Sequence, residues 1–259
     1  MRVAATTSAQ ASIEISSKPT HNMNCTGGVC TPTAKKAVLN IMDLAGMLAS
    51  GDVKVISDGV AQDVEVDDTL SWTSAHRLTL DSYHSIAFKK PVVVAGTGAL
   101  TITTNDGGSG GDFQFVDKGH VEFWDTSSSL IINGLHYQLA KSIRKIAQAA
   151  RKIGAGARIA VAKDIGAGRT VYTSAPIVEL IGALEGLGNT ISNLTINSNF
   201  DSGYLGLIGN YSQNSVTDSI RDLRLAKAKV TGTGFGQTAG GLIGRGDGAI
   251  LNVQVTGSV

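Results

Sequence analysis

Three stretches of this sequence hold residues whose type and spacing could do chemistry. They are Arg245-Gly246-Asp247 inside GLIGRGDGAILNVQV, the glycine-acid run GGSGGD at 107–112, and the two cysteines of HNMNCTGGVC. The first offers a guanidinium and a carboxylate two residues apart, the spelling of a cell-attachment signal. The second fits the first six places of the calcium nonapeptide GGxGxDxUx, which makes Asp106 and Asp112 the calcium candidates. Its register then fails: the large apolar residue should stand at 114, which is Gln114, between Phe113 and Phe115. Sites of that type also share each ion between consecutive copies, and there is a single copy, so a plain glycine corner is expected. Cys25 and Cys30 flank Gly27-Gly28 and either close a small loop as a disulfide or stay as two thiols. A zinc site would need two further ligands, and only His21 is near.

Acid-base chemistry has weaker candidates. Asp52, Asp58, Asp63, Asp67 and Asp68 form an acidic neighbourhood, and a polysaccharide-cleaving enzyme needs two carboxyl groups held roughly 5–9.5 Å apart across a groove. Aspartate is also a standard corner residue, and that reading is preferred. His76, His84 and His136 have no partner at ligand spacing, and neither HExxH nor G-x-S-x-G occurs. They are expected at exposed turn or strand positions. Trp72 and Trp124 are expected to fill the core rather than stack on sugars. Catalytic, cofactor and metal assignments are therefore all none.

The elements that must position these residues follow from composition and repeats. The chain has 259 residues, 42% of them hydrophobic, and a net charge of +1, so it can bury a large core and carries no electrostatic footprint for nucleic acid or membrane. Thirty-two glycines against 5% aromatics suit tight turns joined by short strands. No 18-residue apolar stretch occurs, and the first residues hold no apolar run of the kind a signal peptide uses.

Short alternating triplets recur from Val64-Glu65-Val66 through Leu78-Thr79-Leu80, Ile86-Ala87-Phe88, Leu100-Thr101-Ile102, Phe113-Gln114-Phe115 and Val121-Glu122-Phe123 to Leu130-Ile131-Ile132. The steps from Val64 to Ile86 and from Leu78 to Leu100 are equal, and the step from Leu100 to Val121 is shorter by a single position. A constant rung of about 21 or about 22 residues predicts a β-solenoid. A second repeat superimposes TISNLTI, SIRDLRL and AILNVQV, with isoleucines at 191, 220 and 250. Those positions predict rungs of about 29 residues and about 30 residues, a different period from the first block. Gly206-Leu207-Ile208-Gly209 and Gly241-Leu242-Ile243-Gly244 precede two of these copies. On that frame Arg245 to Gly248 fall in a linking corner.

Between the blocks a helix is predicted over 137–153. Leu139, Ile143, Ile146, Ala147, Ala150 and Ile153 lie on one face, Lys141, Arg144, Lys145, Arg151 and Lys152 on the other, and Gly154 stops it. The basic face reads as solvated, with no nucleic-acid partner. A shorter helix is predicted over 42–49, ahead of the strand Val53-Lys54-Val55-Ile56. The expected organisation is an N-terminal strand and cysteine loop at 1–37, a first solenoid block at 38–133, a bridging helix at 134–156 and a second block at 157–259.

These repeats carry a resemblance. Residues 38–161, with LAGMLASGDVKVIS, LSWTSAHRLTLDSYHSIAF and VEFWDTSSSLIINGLHYQLA, resemble large filamentous-haemagglutinin-like bacterial exoproteins. Residues 157–259 are similar to the GLUG repeat region found in such exoproteins and in some secreted peptidases; GLIGRGDGAILNVQVTGSV is a good single copy and YLGLIGNYSQNSVTDSIRDLRL a looser one. The resemblance implies a mainly β chain folded as a right-handed parallel β-helix with one intervening helix. It also implies a secreted or cell-surface setting and a non-catalytic adhesin or rod role, with a host receptor or glycan as partner, and it carries over no catalytic residue. The sequence stops on a strand, so it reads as a segment whose neighbouring partner is a continuing rung of a longer polypeptide. The alternatives are a polysaccharide-acting β-helix enzyme, or the scaffold of a secreted peptidase with its catalytic domain outside this chain.

Overall fold

The computed structural model describes residues 11–259. They form 29 strands and two helices, and the chain divides into two compact units. Unit 1 runs to His120 and includes Leu130–Leu135, and unit 2 comprises Val121–Ser129 and His136–Val259. The part of the expected N-terminal segment at 1–10 lies outside the described residues.

In unit 1 the chain visits three sheets in rotation. Val53–Ile56 lies in one, Asp63–Val66 in a second and Leu70–Trp72 in a third; Arg77–Asp81, Ile86–Phe88 and Val92–Val94 repeat the circuit in the same order. Strands of successive circuits pair in parallel, with Leu78 opposite Leu100, Val64 opposite Ile86 and Leu70 opposite Val92. All three steps have the rung length that the triplets predict. Like stacks on like, so each inward position becomes an aliphatic ladder, and every one of these six residues is 0–1% exposed. The step from Leu100 to Val121 is not a rung: the strand beside Ala99–Thr103 is Ser129–Ile132. Phe113 instead faces Ile86, a longer step than the regular rung, with the glycine run 107–112 taking up the extra length in a loop. The aromatic ladder survives the insertion, since Phe88 and Phe115 stack with centroids 5.1 Å apart.

The short helix is α1 (Ile41–Ser50), which extends the predicted span by one position at each end. Asn40 caps it by accepting from the Met42 and Asp43 amides at 2.8 and 3.2 Å. Its buried face is Ile41, Leu44 and Leu48, packed towards Leu70–Trp72.

The longer helix, α2 (Ile143–Ile153), begins later than predicted, because 135–140 is the strand Leu135–Ala140. Leu139 and Ile143 are four apart, so a helical period runs backwards through the strand without a break in the sequence. Pairing decides otherwise: Gln138, Leu139 and Ala140 lie opposite Ile159, Ala160 and Val161. Ser142 starts the helix by accepting from the Lys145 amide at 3.2 Å, and Gly154 ends it at φ 71°. Lys141 thus lies outside the helix, and its Nζ donates to the Trp124 carbonyl at 2.6 Å.

In unit 2, Ala157–Val161, Ile177–Glu185, Ile208–Ser212 and Ile243–Asp247 pair in parallel in that order. Ile208 faces Ile243, so the two Gly-Leu-Ile-Gly copies stack in register. Ile220 faces Ile250 and Leu225 faces Val255, as the later pair of isoleucines predicts. The step predicted from Ile191 to Ile220 fails: Ile191 faces Leu225, while Ile220 faces Leu184. The isoleucines of TISNLTI and SIRDLRL therefore lie in different sheets although their second halves share one, because backbone partners and not sequence likeness assign a strand its place. What the copies do share is their fourth residue: Asn193, Asp222 and Asn252 all take positive φ, 59°, 52° and 50°, which asparagine and aspartate tolerate.

Candidate functional site

The Arg-Gly-Asp triplet lies on the outer face of unit 2. It is strand and not corner: Arg245, Gly246 and Asp247 pair with Asn210, Tyr211 and Ser212, inside Ile243–Asp247. The two-residue period of a strand sends Arg245 and Asp247 out and Gly246 in. Arg245 is not free. Its Nη1 donates to the Tyr204 hydroxyl at 2.6 Å, and its guanidinium lies 5.4 Å from the Tyr204 ring centroid. Glu179 and Asn210 continue the row of Arg245, with Asn210 Nδ2 donating to Glu179 Oε1 at 3.2 Å. With Tyr204, Ser212 and Asp247 these side chains line an open groove of about 520 Å³.

Gly246 and Gly248 have a packing reason. Tyr211, fully buried in the preceding rung, fills the space their side chains would need: a Cβ on Gly246 would stand 2.7 Å from the Tyr211 carbonyl oxygen, and one on Gly248 would collide with the ring. Burial pushes the Tyr211 phenol up to about 12, the nearby Asp218 carboxylate adding to it, and its hydroxyl has no hydrogen-bond partner among the described residues.

A second groove of about 980 Å³ runs between α2 and Ile177–Glu185. Ala147, Ala150, Tyr172 and Pro176 give it an apolar lining, and Arg144 and Arg151 stand along the helix side. Val178, 73% exposed, lines both grooves.

The charges that unit 2 buries were not singled out in the sequence. Glu185 is 1% exposed; its Oε1 accepts from the Leu187 amide at 2.9 Å and its Oε2 lies 3.6 Å from Arg221 Nε. Arg221 Nε also meets Asp222 Oδ2 at 2.7 Å, and Arg158 Nη2 meets the buried Asp218 at 3.2 Å. Burial, then the Glu185 charge, raise the Tyr137 phenol to about 12. Asn189, 0% exposed, donates to the carbonyls of Val121, Val161 and Gly186. The Glu185–Leu187 and Asn189–Gly186 bonds hold the turn at 185–189, while Arg158 Nε and Asn189 Oδ1 are buried with no hydrogen-bond partner among the described residues. The legible signal was Arg221-Asp222 in SIRDLRL, where charges alternate with core positions.

In unit 1 the acidic neighbourhood is dispersed into separate structural tasks. Asp52 accepts from the Arg77 amide, Asp58 from the Val60 and Ala61 amides, and Asp68 from the Ser17 amide, while Asp67 pairs with Lys89 at 3.0 Å. Asp63 Oδ1 meets His84 Nδ1 at 2.8 Å, and Ser85 Oγ stands 3.1 Å from the same nitrogen. A Ser-His-Asp relay needs its serine on Nε2, opposite the aspartate. With both partners on Nδ1, this trio orients a turn and relays nothing. His76 lies 3.4 Å from Asp52, and His136 is exposed.

The calcium candidates sit in a loop closed by Asn105, whose side chain donates to the Gly111 carbonyl at 2.8 Å and accepts from the Gly111 amide at 2.7 Å. Asp112 Oδ1 accepts from the Phe113 amide. Among the described residues, no group of three or more His, Cys, Asp or Glu side chains stands close enough to hold a metal ion. Cys25 and Cys30 face one another across an antiparallel hairpin and are joined as a disulfide. Trp72 is core, 4% exposed, with Nε1 on the His76 carbonyl; Trp124, expected to be core, is 59% exposed just beyond the end of Val121–Phe123. No helix among the described residues is long and apolar enough to cross a membrane. Compared with protein-family models, with curated proteins and with solved structures, the chain matches none.

Proposed function

We propose that this chain is a non-catalytic segment of a secreted or surface-exposed, adhesin-like bacterial exoprotein, folded as a right-handed parallel β-helix and acting in attachment. The reading keeps the resemblance to filamentous-haemagglutinin-like exoproteins and to GLUG repeats. The observation that carries it is the rotation of unit 1 through three sheets, with ladders in register from each circuit to the next. Such a plan spends its buried residues on stacking and leaves the outward side chains and loops for contact. The partner class is a receptor or glycan on another surface. The contact of Arg245 with Tyr204 and the pairing of the strand argue against attachment through Arg245-Gly246-Asp247.

The test is display of the chain on a non-adherent bacterium. Adherence to host cells rises above that of the undisplaying strain, and Asp247→Glu leaves both the fold and the gain unchanged. No gain in adherence overturns the attachment reading, and a selective loss with Asp247→Glu returns the tripeptide to the site.

A further inference from the structure

The groove between α2 and Ile177–Glu185 has two unlike walls. On the helix wall Arg144 and Arg151 stand two turns apart, about 10 Å along the axis from the helical rise. Ala147 and Ala150 lie between them, so this wall reads cation, apolar step, cation. Both arginines are exposed, and neither makes an ion pair or hydrogen bond among the described residues. Lys145 and Lys152, one position further on, lie outside the groove. The other wall is main chain as well as side chain. Residues 177–181 pair with Ile208–Ser212 on one side; on the other, Ala157–Val161 joins the strand only from Gly182. The helix leads into Ala157–Val161 and packs against the strand, so α2 stands where the neighbour of 177–181 would run. Pro176, Val178 and Glu179 line that side, and Val178 is 73% exposed.

We propose that this groove is a docking site for an extended acidic peptide segment of a partner protein, in which carboxylates alternate with aliphatic side chains. The carboxylates meet Arg144 and Arg151, the aliphatic side chains cover Ala147, Ala150 and Val178, and the peptide main chain bonds to the unpaired side of 177–181. Charge complementarity selects the acid, because two cations without partners flank an apolar channel. The strand wall selects a peptide over a fatty acid or a lipid surface, which would cover those backbone groups without bonding them. Glu179 puts a negative charge on the strand wall and so disfavours a polyanion such as nucleic acid. The site rests on the attachment reading for the source of the peptide, a receptor on another surface, and not for the binding itself.

The test titrates the full chain into a short, end-blocked fluorescent peptide alternating glutamate and valine, read by anisotropy. Saturable binding is expected, about tenfold or more tighter than that of alternating glutamate–serine and lysine–valine peptides. Arg144→Glu with Arg151→Glu should weaken it by roughly tenfold or more, whereas Lys145→Glu with Lys152→Glu, the same change of charge at exposed sites of the same helix, should change it by less than about twofold. N-methylation of alternate peptide amides should abolish binding in one phase and spare it in the other, because only one edge of the peptide faces the strand. Absent binding, equal losses in the two double variants, or equal binding of the glutamate–serine peptide overturns the proposal. So does displacement of the peptide by dodecanoate or by anionic phosphatidylserine vesicles while both methylated phases bind alike, since the occupant is then an amphiphile. Peptide binding without adherence of the displaying bacterium removes the attachment reading and leaves the groove. Adherence by a chain that binds no peptide removes the groove and leaves the attachment reading.

Discussion

The first rung of unit 1 and the last rung of unit 2 are made of the same short alternating strands, yet they end in opposite ways. At the start, Ile13, Ile15 and Leu39 are 0% exposed and Ala37 1%. Three devices close that end. The edge strand Lys36–Asn40 is met by a two-way bridge between Val38 and His21, at 2.9 and 2.8 Å. The next sheet starts with the antiparallel hairpin of Met23–Thr26 and Val29–Pro32, pinned by Cys25 and Cys30. The third starts at Leu70–Trp72, against which α1 lays Ile41, Leu44 and Leu48. At the end of unit 2 no helix, hairpin or bridge among the described residues lies over Ile250, Leu251 and Val255. A ladder buries its residues only from both sides, so a rung's stability depends on its neighbours more than on its own sequence.

The contrast is sharpest in the ladders themselves. Leu44→Ala or Leu48→Ala removes a fully buried side chain from the covered end and should cost about 2–5 kcal/mol in denaturant unfolding, whereas Ile250→Ala at the open end should cost less than about 1 kcal/mol. Equal costs would mean that the open end is covered in solution. Gly246→Ala comes next. Its Cβ would press on the Tyr211 carbonyl, and overpacking of that kind costs about 1–3 kcal/mol in unit 2 while leaving unit 1 untouched.

Alkali should separate the units further. Tyr137 and Tyr211, both in unit 2, have phenols raised from 10.0 to about 12, so folding favours their neutral forms. That stabilisation is full below pH 10 and is lost as pH rises towards 12. Thermal unfolding of unit 2 should fall through this window more steeply than that of unit 1, and Tyr211→Phe should flatten the fall; parallel curves would show that the two phenols do not set it. The smallest effect has the opposite sign. Gly46 is an exposed residue inside α1 with open space at its Cβ position, so Gly46→Ala should stabilise the covered end by about 0.5–1 kcal/mol.

Much of the frame was legible because period and composition act locally. The regular rungs of unit 1, the step from Ile220 to Ile250, the paired Gly-Leu-Ile-Gly copies and the glycine stop at Gly154 all appear where spacing put them. The errors fall where two local rules agree with the sequence and only contacts choose between them. Residues 137–140 satisfy both a helical and a strand period, and pairing with Ala157–Val161 selects the strand. TISNLTI and SIRDLRL look alike, yet their isoleucines lie in different sheets. Trp124 has core chemistry but stands just past its strand, where no neighbour covers it.

The triplet at 245–247 divides in the same way. Sequence by itself determined that Gly246 and Gly248 belong to a repeat and that Asn252 can turn the chain, because backbone freedom is a property of the residue. Only the tertiary structure decided that Tyr211 makes those glycines necessary, that Tyr204 holds Arg245, and that Ile250 and Val255 lie open where Ile220 and Leu225 are sealed. Burial and pairing belong to neighbours in other rungs, far along the chain, and no local pattern contains them.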